Sequence, residues 1–215
     1  MAARKKTSSQ PKPHYHHGDL RRALIDASLA LISEEGFNAL SLREVARRAG
    51  VTHAAPYRHF ADKEALLAAV AEEGFRSMAA QMRERMAQQS HPAERLIACG
   101  VAYVLFAVQH PSHFRVMFGP HFVDHSKHEG LGIEGSKAFA LLVQCLTEGQ
   151  QAGVLREGDT LEMALGAWSL VHGLSSLLVD GVLEQPGRPA ADPQALAVAQ
   201  TRMLLDGLLR SPQNG

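Results

Sequence analysis

Apolar residues recur along the chain at steps of three and four, the spacing that keeps side chains on one face of an α-helix. Leu20, Leu24, Ala27 and Leu31 form the first such stripe. Asp19 stands where a cap belongs, and Gly36 where the helix should stop. Ser41 and Glu44 then make an S-x-x-E capping box. It predicts a short helix with Leu42, Val45, Ala46 and Ala49 inward and Gly50 in the following turn. Thr52 is placed to cap a third helix over roughly His53 to His59. Asp62 is placed to cap a fourth, whose apolar face runs through Leu67, Val70, Phe75, Met78 and Met82. Helical periodicity continues over 92–109, 111–118, 134–152, 159–183 and 193–209, broken at Pro92, Pro111, Gly119-Pro120, Gly153 and Gln185-Pro-Gly-Arg-Pro. Strand-like alternation is absent, β-branched residues are sparse, and no internal repeat is visible. The pattern predicts an all-α chain of about nine helices.

Composition narrows the class. The chain has 215 residues, 46% hydrophobic and 20% charged, which is ordinary globular usage for one large or two small domains. Two cysteines without paired spacing exclude a disulfide scaffold and a zinc finger. No uninterrupted apolar run reaches the roughly 20 residues of a membrane span. Met1 to Pro13 is basic without an apolar stretch, unlike a secretory signal. The expectation is a cytoplasmic protein with no membrane partner. The zero net charge hides an asymmetry: residues 1–63 carry 11 Lys/Arg against 6 Asp/Glu, and residues 64–215 carry 11 against 16. A basic head on an acidic body suggests that the head meets a polyanion. Residues 1–17, with Arg4, Lys5, Lys6 and Lys12 and no acidic residue, read as a disordered arm. Such an arm either solubilises the chain or adds phosphate contacts.

Residues 20–60 meet the requirements of a helix-turn-helix: two short helices, a small residue in the turn and a third helix behind them. Thr52, His53, Ala54, Tyr57 and Arg58 offer polar and small side chains where a reading helix would enter a groove about 12 Å wide. The stretch Ala39 to Leu67, extended back through Glu35-Gly36-Phe37 and Leu24 to Ala30, resembles the DNA-binding domain of the tetracycline-repressor (TetR) family of transcriptional regulators. The resemblance places the head at 18–78, with the helix-turn-helix at 41–60, and an effector-binding and dimerising helical domain at 79–215. It implies backbone contacts from Ser41, Tyr57, His59 and Lys63, double-stranded DNA with a near-palindromic operator as partner, and a homodimer. Arg43, Thr52, His53, Ala54 and Arg58 are the candidates for base reading, since Arg can bond guanine O6 and N7 and methyl groups can meet thymine. Pro56 departs from the small or hydroxyl residue usual there.

In the body, Trp168-x-x-x-His172-Gly173 resembles the Trp–His–Gly signature of one C-terminal class of the family. Gly166, Ser169, Gly173 and Ser176 form a small-residue stripe suited to close helix packing, in a dimer or within one subunit. With Leu196 and Met203 they are the dimer-interface candidates. Tyr103, Phe106, His110, Phe114, Met117, Phe118, Trp168 and His172 are candidates for an apolar or aromatic effector site, with Phe122 and Phe139 nearby in sequence. The histidines at 110, 113, 121, 125 and 128 permit a metal-responsive reading through the i,i+3 pair His110/His113, but the expectation is no metal and no cofactor. A catalytic reading finds no nucleophile elbow, phosphate loop, dinucleotide fingerprint or H-E-x-x-H motif, so no enzyme is expected. The remaining alternative is a helical interaction protein whose helix-turn-helix does not bind DNA.

Overall fold

The computed structural model of the protein describes residues 17–119, 127–184 and 192–209. The basic arm before His17 and the expectations for His121, Phe122 and His125 lie outside the described residues. Among the described residues the chain forms eight α-helices and two 3₁₀ turns, with no named strand. The one β-bridge among them, Leu155 to Leu209, is isolated.

The helices are α1 (His17–Glu35), α2 (Leu42–Arg48), α3 (Lys63–Ala87), α4 (Pro92–Gln109), α5 (Pro111–Phe118), α6 (Glu129–Gln151), α7 (Thr160–Val179) and α8 (Pro193–Leu208). Their starts follow local chemistry. Asp62 Oδ1 accepts the Ala65 N–H at 2.8 Å, and Asp159 and Asp192 cap α7 and α8 in the same way. α1 begins two residues before Asp19 and ends where Gly36 takes φ 80°, a conformation open to glycine. α6 begins five residues earlier than the periodicity predicts, because Glu129 to Ile133 continue the helix through a glycine-rich stretch.

The predicted third helix is not an α-helix. Residues 53–59 form a turn and a single 3₁₀ turn, Pro56–Arg58. The cause is Pro56, which has no N–H to return to Thr52. Ala55 N–H instead donates to Thr52 O at 2.9 Å, and His59 N–H to Pro56 O at 2.9 Å, both three residues back. Thr52 makes no side-chain cap there; the residue before the 3₁₀ turn is Ala55.

α3 is the spine. It packs against α1 at its start and against α4, α5 and α6 along the rest. One continuous core runs from Leu24, Val45 and Leu66 through Val70 and Phe75 to Phe106, Met117 and Leu146. The expected boundary at 78/79 therefore falls inside an unbroken helix. α4 sits at the centre of the body, touching α3, α5, α6, α7 and α8. Gly100 makes that possible: a Cβ there would stand 2.4 Å from Thr201 Cγ2 on α8.

α4 and α7 both reach a length and mean hydropathy of 1.2 that would suffice to cross a membrane, which run length in the sequence did not indicate. They differ in burial. Two thirds of the α4 window is buried, as befits a core helix, whereas only 33% of the α7 window is. Leu161, Leu165 and Leu177 of α7 are 61%, 56% and 42% exposed.

Candidate functional site

The head builds its outer face from α2 and the turn that follows. Ser41 Oγ accepts the Glu44 N–H at 3.2 Å, one half of the predicted capping box. The other half is absent, because Glu44 turns to Arg47, whose Nε lies 2.8 Å from Oε1. The Arg47 hydrogen bond holds the Glu44 carboxyl below its ordinary pKa. Gly50 takes φ 69° and swings the chain from α2 into the reading segment, a conformation that favours glycine over other residues.

Ser41, Arg43, Thr52, His53, Ala54, Tyr57 and Arg58 are all exposed on this face. Tyr57 is 61% exposed, high for so large an aromatic side chain. Leu42, Val45, Ala46 and Phe60 form the core beneath. His59 and Lys63 are placed differently. Lys63 Nζ donates to Phe37 O at 3.2 Å, inside the angle between α1 and α3. His59 lies half-buried beside Phe60, in a polar cleft of about 280 Å³ shared with Arg21, Glu72, His128 and Glu129. Both therefore sit at the inner edge of the face.

The body contains a cavity of about 1000 Å³. Its walls come from six helices: Phe75, Met78 and Met82 of α3; Cys99 and Tyr103 of α4; Met117 and Phe118 of α5; Gly132, Gly135 and Phe139 of α6; Leu161, Leu165 and Trp168 of α7; Thr201 and Leu204 of α8. Among the described residues no Asp, Glu, Lys, Arg or His lines it, and its polar points are Tyr103, Ser136, Gln144 and Thr201. Tyr103, Met117, Phe118 and Trp168 are thus brought together at one wall.

Phe106, His110 and Phe114 do not line the cavity. Phe106 is 1% exposed and packs on the far side of α4 against His110, ring centroids 5.0 Å apart. His110 closes the end of α4, its backbone N–H on Phe106 O. Phe114 stands edge-on behind Tyr103, ring centroids 6.3 Å apart. His172 is also one layer back. Trp168 Nε1–H donates to Tyr103 Oη at 3.2 Å, and Tyr103 lies 2.9 Å from His172 Nδ1. Indole can only donate, so Tyr103 Oη accepts from Trp168, and the histidine tautomer sets which partner donates in the Tyr103–His172 bond. Burial pushes the Tyr103 phenol up and the His172 imidazole down, both toward their neutral forms.

The cavity residues missing from the sequence reading are mostly small or aliphatic: Cys99, Gly132, Gly135, Leu161, Leu165, Thr201 and Leu204. Their only signal is helical spacing, which does not separate a cavity wall from a packed core. Cys99 and Cys145 are buried free thiols; burial raises both, Cys145 to about 11. His110 and His113 meet edge to face, and His113 Nε2 lies 3.4 Å from Glu73 Oε1. Among the described residues no group of three His, Cys, Asp or Glu could hold a metal ion.

The dimer candidates all reach the surface. Gly166, Ser169 and Gly173 are exposed and Ser176 is half-buried; a Cβ on Gly166 or Gly173 would meet nothing within 4 Å. Met203 of α8 is 67% exposed and Leu196 is half-buried. Within the subunit nothing among the described residues covers the small-residue stripe, so close packing of another helix in the same chain does not account for it.

Residues 24–70 match the family described as bacterial regulatory proteins, tetR family, and residues 96–204 match the tetracyclin repressor-like C-terminal domain. An uncharacterized HTH-type transcriptional regulator of Haemophilus influenzae is 53% identical over 47 residues, 21% of this chain and only 23% of that protein's length. A solved protein of unknown function from Rhodococcus sp. RHA1 is 34% identical, with a TM-score of 0.79, over 93% of this chain and 100% of that one. The transcriptional regulator FadR of Bacillus subtilis, solved with stearoyl-CoA, shares the fold at 19% identity and a TM-score of 0.73, over 87% of this chain and 98% of its own. The two matched regions together cover head and body in chain order, and this chain belongs to the TetR family of transcriptional regulators.

Proposed function

We propose that the protein is a homodimeric repressor that holds a near-palindromic operator through residues 18–78 and leaves it when a small effector fills the cavity of residues 79–215. The observation that carries this reading is an exposed helix-turn-helix face and an uncharged cavity of about 1000 Å³ in one chain. Ser41, Tyr57, His59 and Lys63 are assigned to the DNA backbone, and Arg43, Thr52, His53, Ala54 and Arg58 to the bases. Two heads on a two-fold axis read two half-sites. The place of action is the cytoplasm, where the DNA is.

The effector is a neutral, largely apolar or aromatic molecule. A charged group in this wall would lose its hydration without gaining an ion partner. The stearoyl-CoA of the B. subtilis regulator is an apolar chain of this kind on an anionic carrier. An acyl chain would fit here with its charged end outside the wall. Trp168, His172 and Gly173 support assignment of the body to the Trp–His–Gly class.

α6 supports coupling between the two parts. Its Gly132, Gly135 and Phe139 line the cavity. Just before it, Lys127 and His128 approach Glu64 of the head at 3.9 and 3.6 Å. A molecule that displaces the α6 wall is felt at the start of α3. By linkage, operator DNA must weaken the effector by the factor with which the effector weakens DNA.

The test is binding of duplexes from DNA beside the protein's own gene, followed by fluorescence anisotropy over a range of salt. Lys63→Ala should weaken all duplexes alike and lower the log–log salt slope by about one. Arg43→Ala and His53→Ala should instead change the preference between duplexes. Retention of no duplex beyond a random-sequence control overturns the reading in favour of a helical interaction protein.

A further inference from the structure

Cys99 and Cys145 are the only cysteines of the chain and lie on different helices, α4 and α6. The two helices run antiparallel. Arg95 near the start of α4 pairs with Glu148 near the end of α6, and farther along Tyr103 and Phe139 both meet Trp168. From the ion pair, Cys99 is four residues along α4, about 6 Å, and Cys145 three residues back along α6, about 4.5 Å. The cysteines therefore stand within about 1.5 Å of the same level. Steps of four and three turn a side chain by only about 40° and 60° from the paired residue, so both stay on the facing sides. The electrostatics agree: Cys145 acts on the Cys99 thiol, and Arg95 and Glu148 both act on Cys145.

The pair adjoins the apolar chamber. Cys99 lines the cavity, as do Leu142, Val143 and Gln144 just before Cys145. Access comes from the other side of the chamber, where Ser136, Leu161 and Leu165 line the cavity and are exposed.

Two thiols in an uncharged wall restrict what can bind. Among the described residues no group of three His, Cys, Asp or Glu could hold a metal ion, so a four-ligand zinc site is not available. Burial keeps both thiols protonated at neutral pH, Cys145 raised to about 11, and the nearby Arg95 cation is offset by Glu148. The pair is a poor thiolate nucleophile. It suits a soft, neutral centre that takes two sulfurs, carries its own base and brings an apolar group for the chamber. A trivalent organoarsenical with two hydroxyls has these properties. Two As–O and two S–H bonds break, two As–S bonds form, and each hydroxide leaves with a thiol proton as water, with no change of oxidation state. A bridging atom also relaxes the Cα separation of at most about 6.8 Å that a direct disulfide needs.

We propose that Cys99 and Cys145 form a dithiol site in the cavity wall that binds a neutral trivalent organoarsenical, with arsenic across the two sulfurs and the organic group in the chamber. The proposal rests on the cavity admitting small molecules and adds a covalent ligand class to it. It does not depend on what the head binds.

The test uses phenylarsine oxide, which hydrates to the neutral diol, on the native full-length chain with excess glutathione as competitor. Intact mass spectrometry should find one phenylarsenic group per chain and no titratable thiol. Trp168 emission should change as the ring enters, because Trp168 lines the same cavity. Cys99→Ala and Cys145→Ala should each hold the group at least about 100-fold more weakly, since a single As–S bond exchanges with glutathione and a two-point bridge resists it. Dithiothreitol should release the group from the wild-type protein. Should a variant fail to fold, trypsin digestion of the wild-type adduct decides without it: the peptides Leu96–Arg115 and Ala138–Arg156 should remain joined through arsenic.

A wild-type protein that keeps both thiols titratable overturns the site. So does a single-cysteine variant that holds the group as tightly as wild type. Thiols lost without the added mass of the phenylarsenic group are a disulfide and overturn the proposal in favour of a redox pair. An adduct that leaves Trp168 emission unchanged puts the ring outside the chamber and overturns it as well. DNA binding enters none of these readouts, so failure here leaves the operator reading intact.

Discussion

Tyr103→Phe isolates the hydroxyl that joins α4 to α7. The ring stays, so its edge-on contacts with Phe114 and His172 are kept. Two hydrogen bonds go: Trp168 Nε1–H to Tyr103 Oη at 3.2 Å, and the one between Tyr103 Oη and His172 Nδ1 at 2.9 Å. A typical bond contributes about 0.5–1.5 kcal/mol net, and a stranded buried partner costs about 1–3 kcal/mol. Trp168 and His172 are only half-buried, so water recovers part of the loss. The expected destabilisation is about 1–3 kcal/mol. For a chain of this size each kcal/mol moves Tm by about 2–4 °C, so Tm should fall by about 2–12 °C. Far-ultraviolet circular dichroism measures the unfolding, with Trp168 emission as a local probe of the same transition. His172→Gln and the double variant complete a thermodynamic cycle; the coupling should lie between about 0.5 and 3 kcal/mol. A Tm within about 1 °C of wild type, or additive effects in the cycle, would refute the bridge between α4 and α7.

Gly100→Ala should destabilise the body by about 1–3 kcal/mol, because its Cβ would stand 2.4 Å from the stiff β-branched Thr201. An unchanged denaturation midpoint in urea would show that α4 and α8 part without cost. Stability should also fall with acid between about pH 7 and pH 5. Burial holds His172 below the ordinary imidazole pKa, and burial outweighs Glu73 in lowering His113. The unfolded histidines take up protons first, near pH 6.5, so the contribution of the neutral folded forms is full above that pH and is lost as pH drops toward their folded values. Tm should follow, less steeply in His172→Gln; a Tm flat across that window contradicts the sign.

The head was legible because its constraints are local. Asp62, Ser41 and Gly50 act within a few residues of themselves, so capping and turn chemistry located α2, α3 and the bend between α2 and the reading segment. The reading segment was misjudged for the same kind of reason. Thr52 reads as the cap of an α-helix over roughly 53–59, whereas the missing N–H of Pro56 leaves room for only a 3₁₀ turn. The cavity was half legible. Tyr103, Met117, Phe118 and Trp168 line it, but Phe106 and Phe114 show the same aromatic character and helical spacing while facing elsewhere. Which aromatic faces a void depends on how α4, α5 and α7 are rotated against one another, and that is fixed by contacts such as Gly100 with Thr201, about 100 residues apart in the chain. Lys63 and His59 illustrate the remainder: their positions in the motif are plain from sequence, but not that their side chains turn toward Phe37 and α6.

α3 has a mechanical consequence. Because Lys63 to Ala87 form one unbroken helix, the chain offers no flexible joint at which the head could pivot by itself. The helix is a rod about 37 Å long. Its bodyward half carries Phe75, Met78 and Met82 into the cavity wall, and its other end begins directly after the DNA-facing turn. A tilt of about 5° about the bodyward end displaces the far end by about 3 Å, close to the roughly 3.4 Å between successive phosphates' base pairs along a strand. An adjustment of the wall too small to disturb the core packing would, in the proposed regulator, be geared up to about one step of the double helix.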